Sequence, residues 1–228
     1  MEAKRVRRAL GAALLGIVSV ASVQATDLSI SQFRVRGPAG GNDEFVELFN
    51  SGATALDLSG YKLNGSNASG TTGTRLTFPA GSSIAAGCYA LLVNTASSGY
   101  SGSVAGDFKY STGITDDGGL AVLDAGGQIV DQVGLSTGSA YKAGTPLTSL
   151  GTTNADKGYG RIVNGAGLPQ NTGDNQADFV VVSPTAPHNS ASPCAVMGLA
   201  LSIADASATV HGPTDVNMPF TVTLSQPA

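Results

Sequence analysis

The chain reads as an all-β protein, a sandwich of short strands. Three observations say so. Apolar residues fall in brief alternating runs, and no stretch after the first 25 residues keeps a helical period. Thirty-one glycines, with many serines and threonines, break those runs every few residues. Apolar residues make up 42% of the chain and charged ones only 12%, so the runs can build a core and the chain is not of disordered type.

The elements follow in order. Residues 1–25 read as an export leader: a basic start with Lys4, Arg5, Arg7 and Arg8, the apolar run "LGAALLGIVSVA", and small residues up to Ala25. That run is too short to span a membrane, and no later segment replaces it. The first strand, "LSISQFRVR", starts in phase at Leu28 and Ile30 and continues out of phase at Phe33 and Val35. The slip predicts a bulge near Ser31 and Gln32. "EFVELF" puts Val46 and Leu48 on one face and Phe45 and Phe49 on the other, which predicts a central strand. "LDLSGYKL" comes next, then "NGSNASGTTGT" as a loose loop, then "RLTFP" and "CYALLV" around the linker "AGSSIAAG". "LAVLD", "AGG" and "QIVDQVG" form a hairpin. From Leu135 to Gln176 the chain is loop-like, with one short strand candidate, "GRIV". "DFVVVS" is the last strand before the tail "PTAPHNSASPC". Residues 26–194 thus form one sandwich domain. Beyond Cys194, "LALSIADASATV" and "PFTVTLSQPA" alternate again. Two strands cannot bury a core alone, so 195–228 read as the start of a second, incomplete β module.

Cys88 and Cys194 are the only cysteines. In an exported chain two cysteines predict one disulfide, here tying the tail back to the strand that begins at Cys88. Without the leader the chain carries 8 basic and 15 acidic residues, a net −7. That charge opposes nucleic acid as a partner. It suits a secreted protein, extracellular or periplasmic.

The order "ISQFRVRG", "DEFVELFNSGATALDLSGYKL", "LTFPAGSSIAAGCYALLVN" and "GGLAVLDAGGQIVDQVG" resembles the bacterial lamin tail domain over residues 27–135. "DFVVVSPTAPHNS" resembles the closing strand and tail of such domains. The resemblance implies an immunoglobulin-like β-sandwich without catalysis, of a kind attached in bacteria to secreted nucleases, phosphatases or surface proteins. The segment "LALSIADASATVHGPTDVNMPFTVTLSQP" is similar to the opening of a Calx-β module. His211 stands where that family usually carries an acidic, calcium-binding residue.

Four groups of residues bear on chemistry. Asp43, Glu44 and Glu47 lie together as an acid/base pair or a cation site would, but an ordinary strand explains them: Asp43 closes a turn, and Glu47 pairs across strands with Arg34 or Arg36. "GLSTG" places Ser136 in a Gly-x-Ser-x-Gly pattern, followed by Asp174 or Asp178 and then His188. That is the residue order of a serine hydrolase, but a nucleophile elbow needs a strand before it and a helix after it, and "SAYKAGTPLTSLG" supplies no helix. Asp116 and Asp117, near Asp124 and Asp131, allow at most a weak surface calcium site, because no run has the spacing of a calcium loop. His188 and His211 lack partners at metal-ligand spacing and are expected to be exposed. No phosphate-binding glycine loop precedes a helix.

The sequence therefore points to a non-catalytic extracellular module that recognises a macromolecule, protein or polysaccharide, or positions a partner domain. No catalytic, cofactor or metal residue is assigned. The alternatives are a secreted hydrolase using Ser136, and a structural or adhesive unit of a larger surface protein.

Overall fold

The structure is a computed structural model and describes residues 27–195 except residue 166. The leader expected over 1–25 and the second module expected over 195–228 lie outside the described residues, apart from Ala195.

The fold is an immunoglobulin-like β-sandwich. Its strands are β1 (Leu28–Arg34), β2 (Phe45–Asn50), β3 (Leu56–Asp57), β4 (Lys62–Ser66), β5 (Thr72–Thr77), β6 (Ser83–Ile84), β7 (Tyr89–Asn94), β8 (Phe108–Tyr110), β9 (Gly119–Leu123), β10 (Ile129–Gly134), β11 (Gly158–Arg161) and β12 (Phe179–Val182). A single helical turn, α1 (Asn175–Asp178), precedes β12 and is capped by Asp174, whose side chain accepts from the Gln176 and Ala177 N–H groups. One sheet has the order β12-β11-β1-β2-β7-β8 and the other β10-β9-β4-β5, with β3 and β6 as a small separate pair. All pairings are antiparallel except β7 with β8.

The core lies between the sheets. Ile30, Phe33, Val46, Leu48 and Leu92 meet Leu63, Leu120, Val122 and Val133 from the facing sheet. The β1 register slips between Ile30 and Gln32, as the phase change predicts. The extra residue keeps Leu28 and Ile30 on the core side before the bulge and Phe33 after it. β2 is central and buried on both faces. Its outer residue Phe45 joins Leu91 and Val93 in a second cluster, covered by Tyr100 and Val104 from the connection between β7 and β8.

Two expectations are corrected. Residues 64–74 are not a loose loop: β4 and β5 pair through Asn64–Thr74, Gly65–Gly73 and Ser66–Thr72. This part of the hairpin lacks an apolar pattern because the Arg75 guanidinium lies over it, 2.7 Å from where a side chain at Gly65 would begin. The strand expected at 160–163 runs instead over Gly158–Arg161. Of its first three residues only Tyr159 has a side chain beyond Cα; it packs inward with its ring centroid 5.7 Å from that of Phe33. β8 was not foreseen; it is three residues long and sits in a glycine- and serine-rich stretch.

After β12 the chain does not leave the domain. Residues 183–195 form a strap across the outer face of the six-stranded sheet. Ala186 N–H donates to Gln32 on β1, His188 meets Glu47 on β2, and Ser190 N–H donates to Asp107 ahead of β8. The strap ends at the Cys88–Cys194 disulfide, where Ala195 N–H donates to the Gly87 carbonyl. The bond links positions 106 residues apart. Replacing both cysteines with serine is expected to lower stability by about 4–5 kcal/mol, the loop-closure entropy returned to the unfolded chain. Urea unfolding of the two proteins measures it. Denatured, unreduced wild type should titrate no free thiol.

Candidate functional site

The acids around β2 are structural, each in a different way. Asp43 is fully buried and closes the turn from Gly40 with its N–H. Its carboxylate accepts from Arg34, from the Ala39 N–H at 2.9 Å, and from the Ser101 N–H and hydroxyl at 2.9 and 2.6 Å. Burial pushes this carboxyl up, but Ser101, Ala39 and Arg34 together hold it below the ordinary value. Arg34 also donates to Asp156 at 2.7 Å and lies over the Phe45 and Tyr100 rings.

Glu44 is also fully buried. It accepts from Asn94 Nδ2 at 2.9 Å, the Tyr110 hydroxyl at 3.2 Å and the Ile114 N–H at 2.9 Å. Among the described residues no basic side chain bonds to it, and burial raises its pKa to about 7. It sits beneath an open cleft of about 660 Å³, whose other charged residues are Asp117 and the pair Arg36 and Asp116, 2.7 Å apart.

Glu47 does not pair with Arg34 or Arg36, contrary to expectation. Its cross-strand neighbour is Gln32, while Arg34 stands opposite Phe45. Its partners are the Ser31 hydroxyl, presented by the β1 bulge, and the backbone N–H and Nδ1 of His188 on the strap. His188 is therefore not a free surface residue, although its side chain is 47% exposed. Its ring stacks on Tyr89 at 4.5 Å, and Tyr89 packs on Phe49 at 4.9 Å. The hydrogen bond to Glu47 raises the His188 pKa against the effect of burial.

These residues border a smaller cleft of about 230 Å³ on the outer face of the sheet. The strap forms one wall, and Val163, Pro169, Val180 and Val182 form the other. Val163 is 60% exposed and Val180 49%. Gly160, in the β11 strand, lines the cleft; a side chain there would begin 3.0 Å from Val182. An exposed apolar rim here lies beside stacked rings and a buried carboxylate. This cleft is the candidate site.

The hydrolase residues are not brought together. The Ser136 hydroxyl is buried with no hydrogen-bond partner among the described residues. Asp174 caps α1 and accepts from Thr145, Asp178 accepts from Thr172, and His188 is held by Glu47. The aspartates considered for calcium are also dispersed. Asp116 pairs with Arg36, Asp124 accepts from Gln128 N–H within its own turn, and Asp131 is buried against Arg161. Among the described residues no three or more His, Cys, Asp or Glu side chains are placed to share one metal ion. No helix among them is long and apolar enough to cross a membrane.

The sequence reading missed the cleft. From the sequence Glu47 reads as a cross-strand partner or a member of an acid/base or cation site, not as a cleft residue, and Tyr89 and His188 lie almost a hundred positions apart. The one local sign was an unusual "VVV" in the last strand, with more valines than one buried face needs.

The sequence profile of the Lamin Tail Domain family matches residues 21–137, just over half of the chain. No curated protein matches the sequence. Among solved structures, the fold is similar to a DUF4876 family protein from Bacteroides thetaiotaomicron VPI-5482. The two share 12% identity and a TM-score of 0.44, over 68% of this chain and 71% of that one.

Two outcomes test the structural roles. The raised Glu44 pKa means that ionisation opposes folding: the favourable contribution is complete below about pH 4.5 and is lost as pH rises through about 7. Glu44→Gln should therefore unfold at higher urea than wild type at pH 8, by about 3 kcal/mol at most, and lose that advantage at pH 4.5. His188 titrates in the same direction, so the comparison is between the two proteins and not between two pH values alone. Arg34→Met leaves the Asp43 charge buried without its cation and should cost about 3–5 kcal/mol by the same assay.

Proposed function

Because the chain belongs to the lamin tail domain family, we propose that it is a non-catalytic recognition module of an exported protein, extracellular or periplasmic, that engages a macromolecule through the outer face of its six-stranded sheet. The cleft between the strap and Val180 carries this reading. It joins exposed valines, a stacked Tyr89–His188 pair and a buried carboxylate on a rigid sheet. The basic and apolar leader and the Cys88–Cys194 bond support export, since structural disulfides persist in oxidising compartments. Catalysis has little to work with: the carboxylates near β2 are engaged in hydrogen bonds, and among the described residues no group hydrogen-bonds the Ser136 hydroxyl.

The test is thermal unfolding of the full chain with a panel of polysaccharides, peptidoglycan, folded secreted proteins, nucleic acid and calcium. A ligand of the native state must raise the midpoint. A polysaccharide or protein is expected to raise it, and Val180→Glu, at the exposed rim, should abolish the rise without lowering the unliganded midpoint. No rise with any member would favour a structural or adhesive unit instead. Labelling of Ser136 by a fluorophosphonate probe would restore the hydrolase.

A further inference from the structure

We propose that the outer-face cleft receives one basic side chain, arginine or lysine, from a protein partner, with Glu47 as its counter-charge. This rests on the recognition reading above and names the ligand chemistry.

Size comes first. Pockets for small-molecule ligands and cofactors occupy roughly 300–1,000 Å³. This cleft, at about 230 Å³, fits one side chain of a larger partner better than a free metabolite.

Charge comes second. Glu47 is 2% exposed, and its bonded neighbours are the Ser31 hydroxyl and the backbone N–H and imidazole of His188. A carboxylate has about four acceptor sites. Donors among the described residues fill three of them. The other charged residue at the cleft is Arg161, on β11, and it is committed elsewhere: Nε donates to the Ile30 carbonyl at 2.8 Å, Nη1 to the Gln170 carbonyl at 3.0 Å, and Nη2 to Asp131. The site thus offers a buried carboxylate with one position open and no fixed cation bonded to it.

The walls suit the rest of a basic side chain. Val163, Val180 and Val182 offer apolar surface to its methylene stem, beside the stacked Tyr89 and His188 rings. The chain's net charge of −4 favours approach of a basic partner.

The titratable groups at Glu47 are His188 from the strap, Tyr89 from β7 and Arg161 from β11. Burial and Glu47 raise the Tyr89 pKa, so it stays neutral throughout the relevant range. His188 alone changes charge there. A proton on His188 and a cation in the cleft compete for the same carboxylate. Binding should release that proton, and affinity should weaken by up to about tenfold per pH unit below the His188 midpoint.

The experiment is an NMR titration of the full chain with acetyl-arginine methylamide, acetyl-norleucine methylamide and acetyl-glutamate methylamide. The arginine probe is expected to shift the Tyr89, His188 and Val180 resonances saturably and to lower the His188 midpoint. Glu47→Gln should weaken it more than tenfold. His188→Gln, which keeps a donor to Glu47, should make its affinity independent of pH from about 5 to 8. If Glu47→Gln does not fold, the His188→Gln pH profile carries the test. Norleucine or glutamate binding there as tightly as arginine would overturn the charge assignment and leave the recognition reading standing. No shift at these resonances with any probe would overturn the basic-side-chain assignment, while the recognition reading stands or falls on the thermal-unfolding panel.

Discussion

Strand β2 is buried on both faces, and its polar groups must find their partners inside the protein. An unpaired buried polar group costs about 1–3 kcal/mol, and a charge costs more. Each polar residue along this segment meets that demand by recruiting a different, distant part of the chain. Asp43 holds Arg34 and the connection at Ser101. Glu44 holds Asn94, Tyr110 and the N–H of Ile114. Glu47 holds Ser31 and the strap at His188. Asn50 donates to the Thr54 and Ile84 carbonyls, fixing the turns that lead to β3 and β7. The loops of this domain are therefore ordered from the centre outward.

The same constraint explains why the cleft exists. Glu47 lies on the outer face, in line with Phe45 and Phe49. Phe45 is covered by Tyr100 and Val104, which cross over from the β7–β8 connection. That cover does not extend to Phe49, so Glu47 and Phe49 depend on the strap and on Tyr89. The strap is one segment wide and crosses toward β8. It leaves Val180 and Val163 uncovered on the β12 side. The cleft is the gap between a cover needed for Glu47 and a sheet wider than that cover.

Where side chains alternate, the sequence was informative. The bulge at Ser31, the burial of both faces of β2, the hairpin of β9 and β10 and the disulfide were all readable from local pattern or from two cysteines. Where glycine replaces side chains the signal vanishes. β11 begins Gly-Tyr-Gly, and the β4–β5 hairpin carries Gly65 and Gly73 beneath Arg75. The partners of Glu47 were not legible for another reason. His188 lies 141 residues away, and only the path of the strap brings it close. Arg34 and Arg36 were nearer in sequence, but the β1–β2 register sets Gln32 opposite Glu47 and gives the arginines to Asp43 and Asp116.

The exposed valines raise a question of stability. A strand edge with apolar side chains invites pairing with other chains. The six-stranded sheet ends in β12 and β8, and both are short, four and three residues. β8 carries an exposed Lys109 in its middle, a common guard against edge pairing. β12 carries no charge, but α1 closes it at one end and the strap departs at the other, so little edge is available for a foreign strand. Val180 is more useful read from the sheet face than from its edge. There it stands beside Tyr89 and His188, on a strand whose position is fixed by Arg161 stacking on Phe179 and by the buried Asp131 beneath it. A side chain held that firmly and left half exposed has little packing value to the domain.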